Sequence, residues 1–297
     1  MRRPLAALFV SALAAGCGGD SNPPSVSIGS PNPPPPTVDF SLRFFGTGSG
    51  DIDRVKIPLL AGNGTSRPVN IGATDLTLEF WIKGNAADNP TSSCTAGANA
   101  RGAWTSGSVV IDRDMMGDGD FGDYGVALFN GQVAFGIAHG TGGTTACGGR
   151  NVLDGAWHHV AVTRRFSSGE LRIFVDGAQD VLVGDTSNDI GYNPAHLNPV
   201  PNDPFLVLGA EKFDASPGHA FKGLIDELRL SNVVRYTGNF VAPSAAFVVD
   251  TGTAALYHFD ESSGADIIDA SNGDASPGVL IPAASGAASH RSTDTPF

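Results

Sequence analysis

The stretch DRDMMGDGDFGDYG sets Asp112, Asp114, Asp118, Asp120 and Asp123 within twelve residues. Carboxylates on a glycine-punctuated loop suit calcium, a hard cation that takes about six to eight oxygen ligands. Laid on an EF-hand loop, the pattern fails at its fifth position, Met116, and ends in Asp123 where a bidentate Glu is wanted. Two readings stand side by side: a calcium loop, or an acidic turn relieved by solvent. Asp226 is a different case. Alternation in GLIDELRL puts Leu224, Asp226, Leu228 and Leu230 on one face of a strand. An unpaired carboxylate in an apolar row costs several kcal/mol, so Asp226 needs a partner, either a cation or a set of hydrogen bonds.

Acid–base and nucleophilic chemistry find less support. His158 and His159, adjacent in WHHVAVTRR, point to opposite sides of a strand and cannot converge on one metal or one proton. A retaining glycosidase needs two carboxylates about 5 Å apart. Glu79 in LTLEFWIK stands alone, and Asp226 and Glu227 face opposite ways. There is no Gly-x-Ser-x-Gly elbow, no His-Glu-x-x-His helix and no phosphate loop. No catalytic residue is assigned. Trp104, Tyr124 and Tyr192, in segments read as loops, are the aromatics that could stack on a sugar, although no spacing selects them.

The elements that must position these groups are strands. With 39 Gly, 20 Pro and 16% charged residues, the 297-residue chain alternates short Val, Ile, Leu and Phe runs with turn clusters. Twelve runs read as strands: FSLRFFG, RVKIPL, LTLEFWIK, SVVIDRD, YGVALFN, QVAFGIAH, WHHVAVTRR, LRIFVDG, FLVLGAE, FKGLIDELRL, ALYHFD and PGVLIP. Asn130-Gly131 and Asp176-Gly177 are tight-turn signals, the first a two-residue hairpin. The pattern predicts an all-β, two-sheet antiparallel sandwich. A net charge of −12 argues against nucleic acid, which calls for a basic stripe.

Arg2 and Arg3 precede an apolar run from Leu5 to Ala15, too short to span a bilayer, which reads as an export signal over residues 1–16. The sequence LAAGC resembles the lipobox of bacterial lipoproteins, with Ala14 where Leu is usual. This implies that Cys17 carries lipid and that the destination is the outer membrane or cell surface; an ordinary cleaved signal is the alternative. Residues 17–37 then form a Pro-, Gly- and Ser-rich tether. If Cys17 takes lipid, Cys94 and Cys147 remain to pair in an oxidising compartment. Both lie in Gly- and Thr-rich segments read as long loops, so the bridge is expected to join two insertions rather than reinforce a strand.

GAWHHVAVT, the polar turn after it, LRIFVDG and the later FKGLIDELRLSNVVRY resemble bacterial laminin G-like domains of the concanavalin A-like jelly-roll superfamily. LTLEFWIK, with Phe80 and Trp81, matches an early strand of that family. The resemblance covers most of residues 38–241 and implies a jelly roll. It also implies a binding or adhesion module for glycans or for extracellular or envelope proteins, often with calcium. A segment resembling the usual start of such domains, ALYHFDESSGADIIDASN, occurs at residues 255–272. We expect residues 254–282 to fold back as strands of one domain spanning 38–297. In related glucanases an Asp of the late strand holds a structural calcium with backbone carbonyls; carried over, this implies Asp226 and carbonyls near Gly46 to Gly50. Those glucanases place their catalytic acids in a Glu-x-Asp-x-x-Glu pattern, which is absent. The expected protein is a non-catalytic binding lipoprotein, touching the membrane only through its lipid. A structural envelope component is the alternative, and a glycan hydrolase is third.

Overall fold

Short runs of β-branched and aromatic residues bury one face each, and here they do so by pairing into two antiparallel sheets stacked face to face. The computed structural model describes residues 38–46, 53–97, 100–114, 121–140, 142–184, 188–192, 204–213, 220–271, 273–283 and 289–297. Cys17, its flanking signal and tether, Asp118 and Asp120 lie outside the described residues.

In spatial order the first sheet runs β10 (Ala178–Val183), β9 (Glu170–Val175), β8 (His158–Arg165), β3 (Leu76–Gly84), β12 (Lys222–Ser231), β1 (Ser41–Phe45) and β16 (Arg291–Ser292). A further strand, β13 (Thr253–Tyr257), also pairs with β12. The second sheet runs β14 (Asp266–Ile267), β15 (Gly278–Ile281), β2 (Arg54–Pro58), β11 (Phe205–Leu208), β4 (Ser108–Asp112), β5 (Phe121–Phe129), β6 (Gln132–His139) and β7 (Gly142–Asn151). Residues 254–282 therefore serve both sheets, through β13 in one and β14 and β15 in the other.

Inward-facing residues fill the space between the sheets. Leu78, Phe80 and Ile82 of β3 and Val160 and Val162 of β8 meet Val55, Val126, Phe135 and Leu206 of the opposite sheet, all with no exposed surface. Each such side chain contributes about 1.5–3 kcal/mol. The Asn130-Gly131 hairpin joins β5 to β6 with both φ angles positive, at 50° and 82°.

Each sheet also carries a cover on its outer face. On the second sheet, the loop before β4 lays the Trp104 indole over Gly125 and Gly136, which face each other across β5 and β6. A Cβ at either glycine would come within 2.0 or 2.1 Å of the ring. Cys94 is bonded to Cys147 across 53 residues, with Cα atoms 6.0 Å apart. Chain entropy assigns such a closure about 4 kcal/mol. Here the sequence reading needs correction: Cys147 lies in β7, opposite Ala134 of β6, so the bridge ties the Trp104 loop to a strand. On the first sheet, residues 232–250 run as an irregular strap across β3, β8 and β12.

Candidate functional site

The ladder between β1 and β12 aligns Leu42 with Ile225, and that between β13 and β12 aligns Tyr257 with Leu228. Two strands thus lie end to end along one side of β12, and Asp226 and Glu227 fall at their junction. Glu227 has φ 51° and the register with β3 shifts between Asp226 and Arg229, which marks a bulge. The extra residue reverses the alternation. Ile225, Leu228 and Leu230 face the core, whereas Asp226 lies opposite Trp81 and Arg229 opposite Glu79 on the outer face. The single apolar row of Leu224, Asp226, Leu228 and Leu230 is therefore split in two.

Asp226 is nevertheless buried, at 1% exposure. Its Oδ1 accepts the Glu227 N–H at 2.8 Å, while Oδ2 is buried without a hydrogen-bond partner. Around it the junction gathers more acid. Asp260 Oδ1 accepts the Phe40 N–H at 3.0 Å. Glu227 Oε1 lies 2.6 Å from His258 Nδ1, and Oε2 accepts the Phe247 N–H at 2.7 Å. Burial, then the charges of Glu227, Asp39 and Asp260, push the Asp226 carboxyl up to about 9. Burial and the adjacent Asp260 likewise raise Asp39. His258 is raised, chiefly by its bond to Glu227 and against its partial burial. Phe259, between His258 and Asp260, has φ 64°, a second bulky residue in the left-handed region at this junction.

An orphaned, buried carboxylate oxygen amid three further carboxylates fits a hard cation. Asp226 is the carboxylate whose charge a cation would relieve, since Asp39 and Asp260 add to its burden while the His258 imidazole is engaged by Glu227. Among the described residues no group of three or more His, Cys, Asp or Glu side chains is placed to hold a metal ion. Of the carbonyl partners expected near Gly46 to Gly50, Gly46 does not stand beside Asp226. Phe45 pairs with Lys222, so Gly46 lies at the far end of β1 from the bulge, and the other four residues lie outside the described set.

The acidic loop differs. Asp112 is fully buried, and its oxygens accept the Asp114 N–H at 3.0 Å and the Lys212 N–H at 2.9 Å. Burial, then the charges of Asp112 and Asp123, raise Asp114 to about 8, opposed by the buried Lys212 ammonium. Asp112 and Asp114 thus already have a cation in Lys212, and the charge of Asp123 acts on the Arg113 guanidinium.

Other sequence candidates are structural. Trp104 and Tyr124 have no exposed surface and Tyr192 has 7%, so none of the three presents a face for stacking on sugar. Tyr124 lies within β5 and carries the Arg113 guanidinium 4.9 Å above its ring. His158 and His159 do face opposite ways. His158 is clamped by Asp176 at 2.8 Å and Asp154 at 3.0 Å, while His159 is fully buried among the ring edges of Trp81, Phe240 and Phe247.

Glu79 is not alone. Its Oε1 accepts from Arg229 Nε at 2.9 Å and Nη2 at 2.8 Å, and its Oε2 from Tyr236 Oη at 2.7 Å. His159 Nε2 lies 3.4 Å away. Burial works to raise this carboxyl, but His159, Arg229 and Tyr236 outweigh it and hold it below the usual range. Arg235 joins the same group and forks onto Asp250 with two bonds of 2.7 Å, closing the strap. Alternation puts Glu79 and Arg229 at outward positions of their strands, but only the structure shows that the two strands are neighbours.

Residues 61–237 match the family described as Concanavalin A-like lectin/glucanases superfamily (Laminin_G_3). The chain is 32% identical over 163 residues to the mouse (Mus musculus) sushi, von Willebrand factor type A, EGF and pentraxin domain-containing protein 1; the match covers 54% of this chain and 4% of that protein. Among solved structures it resembles a putative carbohydrate binding protein from Bacteroides ovatus, with 17% identity, TM-score 0.48, and coverage of 83% of this chain and 59% of that one. It also resembles a heptameric SAP-like pentraxin from Limulus polyphemus, with 13% identity, TM-score 0.39, and coverage of 73% and 94%. The family match spans more than half of the sequence, and the chain belongs to the concanavalin A-like lectin/glucanase superfamily as a laminin G-like member.

Proposed function

We propose that this protein is a non-catalytic binding module for a glycan or an extracellular or envelope protein, carried at a bacterial cell surface by lipid on Cys17 and stabilised by calcium at Asp226. The observation that carries the reading is Glu79. This carboxylate, fully buried and bonded to Arg229 and Tyr236, is committed to holding the strap and has no path to a substrate proton. Its role is architectural. The Asp226 junction supports the calcium part, because its orphaned oxygen asks for a positive charge. The resemblances to a putative carbohydrate binding protein and to laminin G-like domains favour binding as the task. The test is an array of glycans and matrix proteins probed with the protein in calcium and in chelator. Retention of at least one ligand class supports the reading, and loss of that retention in chelator supports the calcium requirement. Retention of nothing in either condition would favour a structural envelope role.

A further inference from the structure

On the outer face of the first sheet, clear of the strap, three interior strands present one row of side chains. The ladders align Lys83 of β3 with Leu224 of β12, and Leu224 with Arg43 of β1. An ammonium and a guanidinium therefore flank one buried leucine. Lys222, two residues earlier on β12, adds a third cation. With Asn85, Asp88 and Asp294 these residues border a groove of about 290 Å3, close to the lower limit of about 300 Å3 for small-molecule sites. Three cations against two carboxylates reverse, locally, the sign of a chain whose net charge is −12.

The charges are unequally committed. Lys222 Nζ bonds Asp88 at 2.7 Å. Lys83 Nζ bonds both oxygens of Asp294, at 3.0 and 2.8 Å, and Trp157 Nε1 donates to the same carboxylate at 2.9 Å. Arg43 donates to the Ser292 hydroxyl at 3.1 Å and has no carboxylate within ion-pair distance among the described residues. The groove thus already accepts one carboxylate, from the segment that follows β16, held by Lys83 directly and by Arg43 through its charge alone. Burial works against the charge of Asp294, but the bonds from Lys83 and Trp157 and the charges of Lys83 and Arg43 outweigh it and hold the carboxyl below its usual range.

We infer that this groove binds the carboxylate of an acidic saccharide, a sugar acid of the uronic type, with Arg43 as its anchoring fork and Asp294 as an internal competitor. This names a ligand class for the binding module proposed above and rests on that reading. A guanidinium presents paired donors that match a carboxylate, which an ammonium does not. A sugar acid is favoured over an acidic peptide by where the groove lies. Peptides that extend a sheet are recognised through main-chain pairing at its edge. Here β3, β12 and β1 spend their main-chain groups on one another, and only side chains face the ligand.

Calorimetry at low salt, in chelator so that calcium cannot bridge, separates the outcomes. The probes are trigalacturonate, neutral galactotriose and an acidic peptide of equal charge. Trigalacturonate should bind at least tenfold more tightly than the other two. Arg43→Gln should weaken it at least tenfold, and Asp294→Asn should strengthen it several-fold, with melting temperatures of the variants checked in parallel. If Arg43→Gln fails to fold, Arg43→Lys, which keeps the charge but not the fork, should show the same loss. Equal affinity for galactotriose, tighter binding of the peptide, or indifference to both Arg43 variants would overturn the inference. Neutral glycan retained on the array without trigalacturonate binding would defeat the ligand class and leave the binding module standing. Retention of no ligand at all would defeat both.

Discussion

A carboxyl buried as Asp226 is has two ways to shed its charge problem, a proton or a cation. With no cation it is raised to about 9, so it holds its proton near neutrality. Calcium bound only by the folded state would stabilise it by about 2.7 kcal/mol at a hundredfold excess over Kd. In a domain of this size that corresponds to roughly 5–10 °C in melting temperature. Asp226→Asn should remove most of that increase, whereas neutralising Asp118 and Asp120 should leave it intact; the reverse pattern in a melting series with and without chelator would move the site to the acidic loop. His158 carries the clearest pH dependence. Partial burial pulls it down, but Asp176 and Asp154 outweigh that and raise it above its ordinary value of 6.5. The clamp therefore contributes its full stability below about pH 6.5 and loses it as pH rises through the higher folded value. His158→Asn should flatten the stability profile over that window, as followed by urea denaturation at a series of pH values. An unchanged slope would show that the two carboxylates do not hold the charged imidazole.

At the scale of elements, β12 decides most of the site. Its residue pattern reads as plain alternation with Leu224, Asp226, Leu228 and Leu230 on one face, and the bulge at Glu227 breaks that face, leaving Leu228 and Leu230 inward but Leu224 and Asp226 outward. A single left-handed residue leaves no mark in hydropathy, which is why the Asp226 neighbourhood was legible as a need for a partner but not as a place. The strands rich in apolar residues were readable from their composition. β7, built of Gly, Thr, Ala and Cys, was not, because its glycines serve close packing rather than strand propensity: a Cβ at Gly143 would come 2.4 Å from a β6 carbonyl. Glu79 illustrates the same limit, since its partners come from a strand and a strap distant in sequence. Replacing it with Ala leaves Arg229 buried without its carboxylate, while Arg235 keeps Asp250, and should cost about 3–5 kcal/mol, read from denaturant midpoints. A loss below about 1 kcal/mol would mean that the aromatic packing of Tyr236 and Phe240 alone holds the strap.

For the whole molecule, the sandwich and its family were readable because turn dipeptides and strand runs recur in one order along the chain. The covers on the two outer faces were not readable, since each depends on long-range contacts of irregular segments. They matter for function, because they bury Trp104 on one face and Glu79 on the other and leave the Arg43 groove accessible. The proposed cell-surface attachment is tested on the intact chain: Cys17→Ser should shift the protein from the membrane fraction to the soluble one without changing its melting temperature. An unchanged membrane fraction would contradict the lipid anchor. The central claim is binding without turnover, and the most direct measurement is the mass of a glycan recovered after prolonged incubation with stoichiometric protein. A glycan retained on the array should return at its original mass. Shortened products that disappear in a Glu79→Gln variant would contradict it, because they would make the buried carboxylate a working acid.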